Sequence, residues 1–206
     1  MRVTVPTITK RVGVLVLTVA ALAGITGCAT LRQFAALGQV RFSFDRITDV
    51  RLAGVSTAGK DSYSDLRFQD VARITAAIAS REVPLDFVVQ VRAENPASNT
   101  VTARLLQLDW TLFFDEGRVL EGQMDRGYSF APGQPVLVPV AVSLDAYNLV
   151  QRNGQDLFEL ALAIAGVQGH RTNVRLDLQP TVETDLGPIP YPAPITIRRN
   201  VGTSTQ

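Results

Sequence analysis

The chain has 206 residues, 20 Lys and Arg against 19 Asp and Glu, one histidine and one cysteine, for a formal charge of +1 at neutral pH. That near balance, with no basic cluster, argues against a nucleic-acid binder. A lone cysteine excludes an intramolecular disulfide, so stability must come from packing, for which 46% hydrophobic residues provide material.

The N-terminus carries Arg2, Lys10 and Arg11 and no acidic residue, then an apolar run from Val12 to Ile25, then Thr26, Gly27 and Cys28. At about 1.5 Å per residue the run reaches roughly 21 Å as a helix, short of a ~30 Å hydrocarbon core. It reads as the apolar region of a signal peptide rather than a lasting transmembrane helix. The segment Ile25-Thr26-Gly27-Cys28 resembles a bacterial lipobox. The resemblance implies diacylglycerol on the Cys28 thiol, signal cleavage between Gly27 and Cys28, and acylation of the new amino group. One acyl chain holds a protein only marginally, with a partition constant of ~10⁴ M⁻¹, whereas two or three anchor it stably. Ala29, rather than Asp, follows the cysteine. In the pattern it resembles, this points to the outer membrane, facing the periplasm, of a Gram-negative host. A non-lipidated signal peptide is the alternative.

Removing residues 1–27 from the 206 leaves 179, a size for one domain. The leader takes three of the 20 basic residues and none of the 19 acidic ones, so the mature charge is 17 − 19 = −2. Residues 28–39 are expected to form an acylated N-terminus and tether, 40–199 the domain, and 200–206 a frayed tail. The mildly apolar stretch from Ala29 to Leu37 also fits the beginning of the domain. Val40 to Asp45 and Thr48 to Val55 are weak strand candidates. Between Asp70 and Ser80, Val71, Ile74 and Ile78 recur at helical spacing among alanines, with Asp70 as the expected N-cap.

From Phe87 the period changes to two. Phe87, Val89, Val91 and Ala93 alternate with Val88, Gln90, Arg92 and Glu94 in a half-buried strand, ended by Asn95-Pro96-Ala97-Ser98-Asn99. In the next strand Leu106, Leu108, Trp110, Leu112 and Phe114 share one face, and Gln107, Asp109 and Thr111 the other. Asp115-Glu116-Gly117-Arg118 reads as a hairpin turn into Val119–Gln123, with Gly117 free to take positive φ. Val136, Val138, Val140 and Val142 form a further strand, in which Pro139 requires an edge position or a bulge. A turn or short helix over Asp145–Gln151 precedes a helical stripe of Leu157, Leu160, Ala161 and Ile164, stopped by Gly166. Val174, Leu176 and Leu178 mark another strand. Gly187 to Pro194 is a proline-rich extended stretch, either a ligand for a recognition module or a stiff loop, and Ile195 and Ile197 begin the last strand.

This order of features resembles a known family. Val83-Pro84-Leu85-Asp86-Phe87-Val88-Val89-Gln90-Val91 running to Glu94-Asn95-Pro96, then Leu108-Asp109-Trp110-Thr111-Leu112, the stretch from Gly117 to Gly122, Leu137-Val138-Pro139-Val140 and Gly187-Pro188-Ile189-Pro190 are similar to the late embryogenesis abundant type 2 family. This family is also called the water stress and hypersensitive response domain. The resemblance covers roughly Phe42 to Ile197. It implies an immunoglobulin- or fibronectin-like antiparallel β-sandwich, which agrees with about seven period-two strands and one or two short helices. It also implies a link to desiccation tolerance, and it carries no catalytic motif. The lipobox departs from an intracellular member.

No residue set assembles into an enzyme motif. His170, between Gly169 and Arg171, has no second histidine to complete a metal site and reads as a solvated loop residue. Asp109, Asp115, Glu116 and Glu121 cluster in sequence, but a hairpin turn would carry two of them in any case. Trp110 reads as core rather than a ligand platform, and Asn95 and Pro96 as a turn. The expectation is therefore a non-enzymatic envelope lipoprotein with no cofactor beyond the acyl chains on Cys28. Its partners are the membrane through that anchor and an envelope protein or lipid, and its role is protection under desiccation or envelope stress. The alternative is a ligand-binding or assembly module for a lipid, a hydrophobic molecule or a partner envelope protein.

Overall fold

In the computed structural model, residues 32, 35–114, 117–149, 153–170, 172–184 and 187–201 are described. They form a mainly β structure of two antiparallel sheets. One sheet has the order β2 (Val55–Ser56), β1 (Arg41–Leu52), β3 (Pro84–Glu94), β7 (Pro135–Asp145). The other runs β10 (Ile195–Val201), β8 (Thr172–Thr184), β4 (Ala103–Phe114), β5 (Gly117–Met124). The short β6 (Tyr128–Phe130) also pairs with β4, and β9 (Gly187–Pro190) with β8. Among the described residues, two helices, α1 (Phe68–Ser80) and α2 (Gly154–Ala165), and the helical residues 35–39 accompany the sheets. The sandwich and its two helices match the expectation; the additional strands are the short β2, β6 and β9.

Alternation builds the core. Leu85, Phe87, Val89, Val91 and Ala93 of β3 and Val138, Val140, Val142 and Leu144 of β7 point inward. They meet Leu108, Trp110 and Leu112 of β4 and Val174, Leu176, Leu178 and Val182 of β8 in one apolar cluster. β3 and β7 pair without interruption from Pro84↔Asp145 to Glu94↔Pro135. Among the described strands β7 pairs with β3 alone, so Pro139 stands on an edge strand, where its missing N–H costs no ladder bond.

Four local expectations change. The two weak strands before residue 56 are largely one long strand, β1, whose pairing with β3 shifts between Phe44 and Arg46 and again between Thr48 and Arg51. Asp49 takes φ 57° within the second irregularity. Such shifts break the period-two signal and make one strand read as two. In β4, a register shift between Leu105 and Gln107 turns Leu106 outward, 38% exposed, while Leu105 is buried. Leu106 therefore leaves the face of Leu108, Trp110 and Leu112. Gly117 does not use positive φ. Its lack of a side chain instead allows close approach, since a Cβ there would lie 3.3 Å from the Phe114 carbonyl oxygen. Finally, Asp70 is not the N-cap: α1 begins at Phe68, and Asp70 reaches back from within the first turn to accept the Arg67 backbone N–H at 3.2 Å.

The remaining helical signals hold. Asn153 caps α2 by accepting the Asp156 N–H at 2.7 Å, and Gly166 ends it at φ 82°. Only Ile74 of α1 is buried, whereas α2 buries six residues and packs against β1, β8 and β10. Between β7 and α2, Ala146–Asn148 form a 3-10 turn. Asp145 accepts the N–H of Tyr147 at 3.0 Å and of Val83 at 2.9 Å, joining this turn to the start of β3.

A second 3-10 turn, Tyr63–Asp65, is held by the Asp65 carboxylate, which accepts the backbone N–H groups of Asp61 and Ser62, each at 2.9 Å. These bonds, with a smaller contribution from the Ser62 hydroxyl, favour the ionised form and lower the Asp65 pKa below the usual carboxylate value. A lowered folded pKa means that the turn's stabilisation is complete above the unfolded value and is lost as pH falls through the folded one. Amide exchange at Asp61 and Ser62 is expected to accelerate on acidification below about pH 4, relative to intrinsic rates. Asp65→Asn should show that acceleration already at neutral pH.

Candidate functional site: the outer face of the β4 sheet

Gly27 and Cys28 lie outside the described residues, as do Asp115 and Glu116 of the expected hairpin turn. Of the described residues that follow Cys28, Arg32 is exposed and the packing begins at Ala36. Residues 35–39 are helical, and Ala36 and Leu37 are 2% and 1% exposed. Asn99 donates to the Ala36 carbonyl at 3.1 Å, so the turn after β3 grips this segment. Of the two readings open for Ala29–Leu37, its described final residues behave as domain.

The Asn95-Pro96 turn is more than a chain reversal. Asn95 is fully buried, and its amide donates to the carbonyls of Val101 at 3.0 Å and Phe130 at 2.7 Å. Its own side-chain oxygen accepts from Asn99 at 2.8 Å, and Asn99 in turn accepts the Val101 N–H at 3.2 Å. The two asparagines thereby tie together the turn, β6 and the N-terminal segment by donating to the carbonyls of Val101, Phe130 and Ala36.

His170 is half-buried, and its Nε2 lies 3.3 Å from the Asp61 carbonyl oxygen. Among the described residues, no group of three or more His, Cys, Asp or Glu side chains is placed to hold a metal ion. Trp110 is 7% exposed and packs inward against Gly122, its partner on β5. It is core, as expected.

Asp109 and Glu121 do come together on the outward face of this sheet, because β4 lies between β5 and β8. Cross-strand register sets out the face in rows. Asp109 is flanked by Gln123 and Gln179, Thr111 by Glu121 and Asp177, and Phe113 by Arg175. Thr196 of β10 continues the middle row beside Asp177. Asp109, Thr111, Phe113, Glu121, Gln123, Asp177 and Gln179 line a groove of about 610 Å³, with Trp110, Gly122 and Pro194 completing its walls. Gln179 donates to the Tyr191 carbonyl and Tyr191 N–H donates to Pro180, pinning the loop that carries Pro194 against β8.

The groove is internally ordered. Gln107 donates to Asp109 at 3.0 Å, and Thr196 to Asp177 at 2.7 Å. The Arg175 guanidinium lies over the Phe113 ring at 3.7 Å, with its Nε 3.7 Å from Asp177. The sequence pointed to Asp109 and Glu121 but not to Asp177, Gln179 or Arg175. Their signal was present as the polar half of the alternation around Val174, Leu176 and Leu178, without an indication of which strands would lie beside them. The proline-rich stretch is no free ligand either: Gly187–Pro190 is β9, paired with β8.

Neither a family model nor a curated protein matches the chain. Among solved structures, it is similar to the solution structure of a putative late embryogenesis abundant (LEA) protein, at 14% identity and a TM-score of 0.40 over 98% of this chain and 94% of that one. It is also similar to the solution structure of an Arabidopsis thaliana protein, at 13% identity and a TM-score of 0.38 over 61% and 74% of the two chains. A third similarity is to the crystal structure of a protein from Archaeoglobus fulgidus, at 14% identity and a TM-score of 0.36 over 60% and 88%.

Proposed function

We propose that this chain is a membrane-anchored, non-enzymatic envelope lipoprotein whose late embryogenesis abundant type 2-like sandwich protects envelope components under desiccation or related stress. The observation that carries the anchoring is the placement of Cys28 directly after a basic start, the apolar run from Val12 to Ile25, and Gly27. The packing of Ala36 adds a geometric consequence. Eight chain steps separate it from Cys28, so at about 3.5 Å per step an acylated Cys28 keeps that end of the sandwich within roughly 28 Å of the bilayer. The non-enzymatic reading is supported by the separation of the ionisable groups. His170 touches a backbone carbonyl, whereas Asp109, Glu121 and Asp177 stand on the outer sheet face.

The test is fractionation of cells expressing the full chain, with palmitate labelling. Wild type is expected in the membrane pellet carrying label, and Cys28→Ala in the soluble fraction without it. An unlabelled, soluble wild type would overturn the anchoring. A deletion strain that survives drying and envelope stress as well as its parent would remove the protective role.

The groove favours a second reading, the ligand-binding module. Its walls combine acidic, amide and hydroxyl side chains with the apolar Trp110, Phe113 and Pro194, a mixed lining suited to a ligand with both polar groups and apolar faces. The large apolar residues exposed among the described ones, Phe68, Leu106 and Leu137, are scattered over α1, β4 and β7.

A further inference from the structure

We propose that the groove on the outer face of β5, β4 and β8 binds a neutral oligosaccharide chain. The inference rests on the ligand-binding reading above and does not depend on acylation of Cys28.

An outward strand face is ordinarily a flush, solvated surface, whereas here the polar side chains are sunk around a concavity. Asp109, Thr111, Asp177 and Gln179 are all half-buried although they alternate with core residues and point away from the core. The groove's volume of about 610 Å³ lies within the range of small-molecule sites, roughly 300 to 1,000 Å³. From Asp109 to Phe113 the face extends about 14 Å along the strand at about 3.4 Å per residue, which suits an oligomer better than a single sugar.

The lining selects the ligand's chemistry. Asp109, Glu121 and Asp177 are acceptors, Gln123 and Gln179 offer both donors and acceptors, Thr111 adds a hydroxyl, and Phe113 and Pro194 add apolar surface. A ligand that answers this set must itself carry many groups that both donate and accept, which is the property of hydroxyl-rich sugars. Three carboxylates disfavour an anionic chain. A polycation is less well matched, because Arg175 lies beside Asp177 and already neutralises part of that charge. The bonds from Gln107 to Asp109 and from Thr196 to Asp177 hold the carboxylates in place before a ligand arrives, which reduces the ordering cost of binding.

Titration calorimetry on the full chain, purified in detergent, tests this with chitotetraose, cellotetraose and maltotetraose, and with spermine and a heparin-derived tetrasaccharide as charged probes. At least one neutral tetrasaccharide is expected to bind with a Kd tighter than about 1 mM. Gln123→Ala and Asp177→Ala should each weaken that binding at least tenfold. Gln123 is exposed, so its variant keeps the test valid should Asp177→Ala disturb the sheet. Binding of spermine in the groove without binding of any neutral chain would overturn the oligosaccharide proposal and leave a ligand-binding module standing. Absence of binding by every probe, or neutral-sugar binding untouched by both substitutions, would overturn the proposal together with the groove's role as a site.

Discussion

Asn95→Ala is expected to lower the unfolding free energy by about 3 kcal/mol and the melting temperature by roughly 6–12 °C. The side chain is fully buried and satisfies two carbonyls, of Val101 and Phe130, while accepting from Asn99. Alanine leaves both carbonyls without that donor and Asn99 without one of its two acceptors. Each such group costs about 1–3 kcal/mol when stranded, and partial relaxation brings the sum down. Asn95→Asp should be worse still, because it turns a carboxylate oxygen toward two carbonyl oxygens and buries a charge. Asn99→Ala should act more locally, since it frees the Ala36 carbonyl and loosens the 35–39 segment while Asn95 keeps its two carbonyl partners. Thermal and denaturant unfolding measure all three. A loss below 1 kcal/mol for Asn95→Ala would mean that the network does not hold this end of the sandwich together.

Gly122→Ala is expected to cost about 2–3 kcal/mol despite adding one methyl group to a strand, where alanine ordinarily outperforms glycine. A Cβ at this position would lie 2.5 Å from Trp110 Cε2, 2.8 Å from Cη2 and closer still to Cζ2. The indole must therefore move, and at 7% exposure in the core it has little space to do so. Trp110 is the only tryptophan, so its emission reports the displacement directly. A red shift is expected in Gly122→Ala. Shortening the partner removes the clash, so Gly122→Ala with Trp110→Leu should be at least 1 kcal/mol less destabilised than the sum of the two single changes. Strict additivity would show that the alanine is accommodated without displacing the indole.

Where a strand has one buried face and regular pairing, it was legible from its residues alone. β3 and β7 follow their alternation over their whole uninterrupted ladder, and of the edge or bulge that Pro139 indicated, the edge is what is found. β1 was not legible as a single strand because its two register shifts move apolar residues between faces. Leu106 was misplaced for the same reason, by one irregularity beside Leu105. The short β2, β6 and β9 are too brief to carry a period and exist by virtue of the strands they pair with. Asn95 was readable as a turn residue from the proline after it. Its hold on Phe130 depends on a segment 35 positions away.

What the sequence by itself determined is the period-two patterning of the regularly paired strands, the turn after β3 and the stop of α2 at Gly166, because each depends on neighbours along the chain and on local steric preference. Only the tertiary structure decided that β4 lies between β5 and β8, and with it that Asp109, Glu121, Gln123, Asp177 and Gln179 share one groove. Alternation specifies which side of a strand is polar. Which polar sides become neighbours follows from sheet order, and that order is set by packing of the opposite, apolar side.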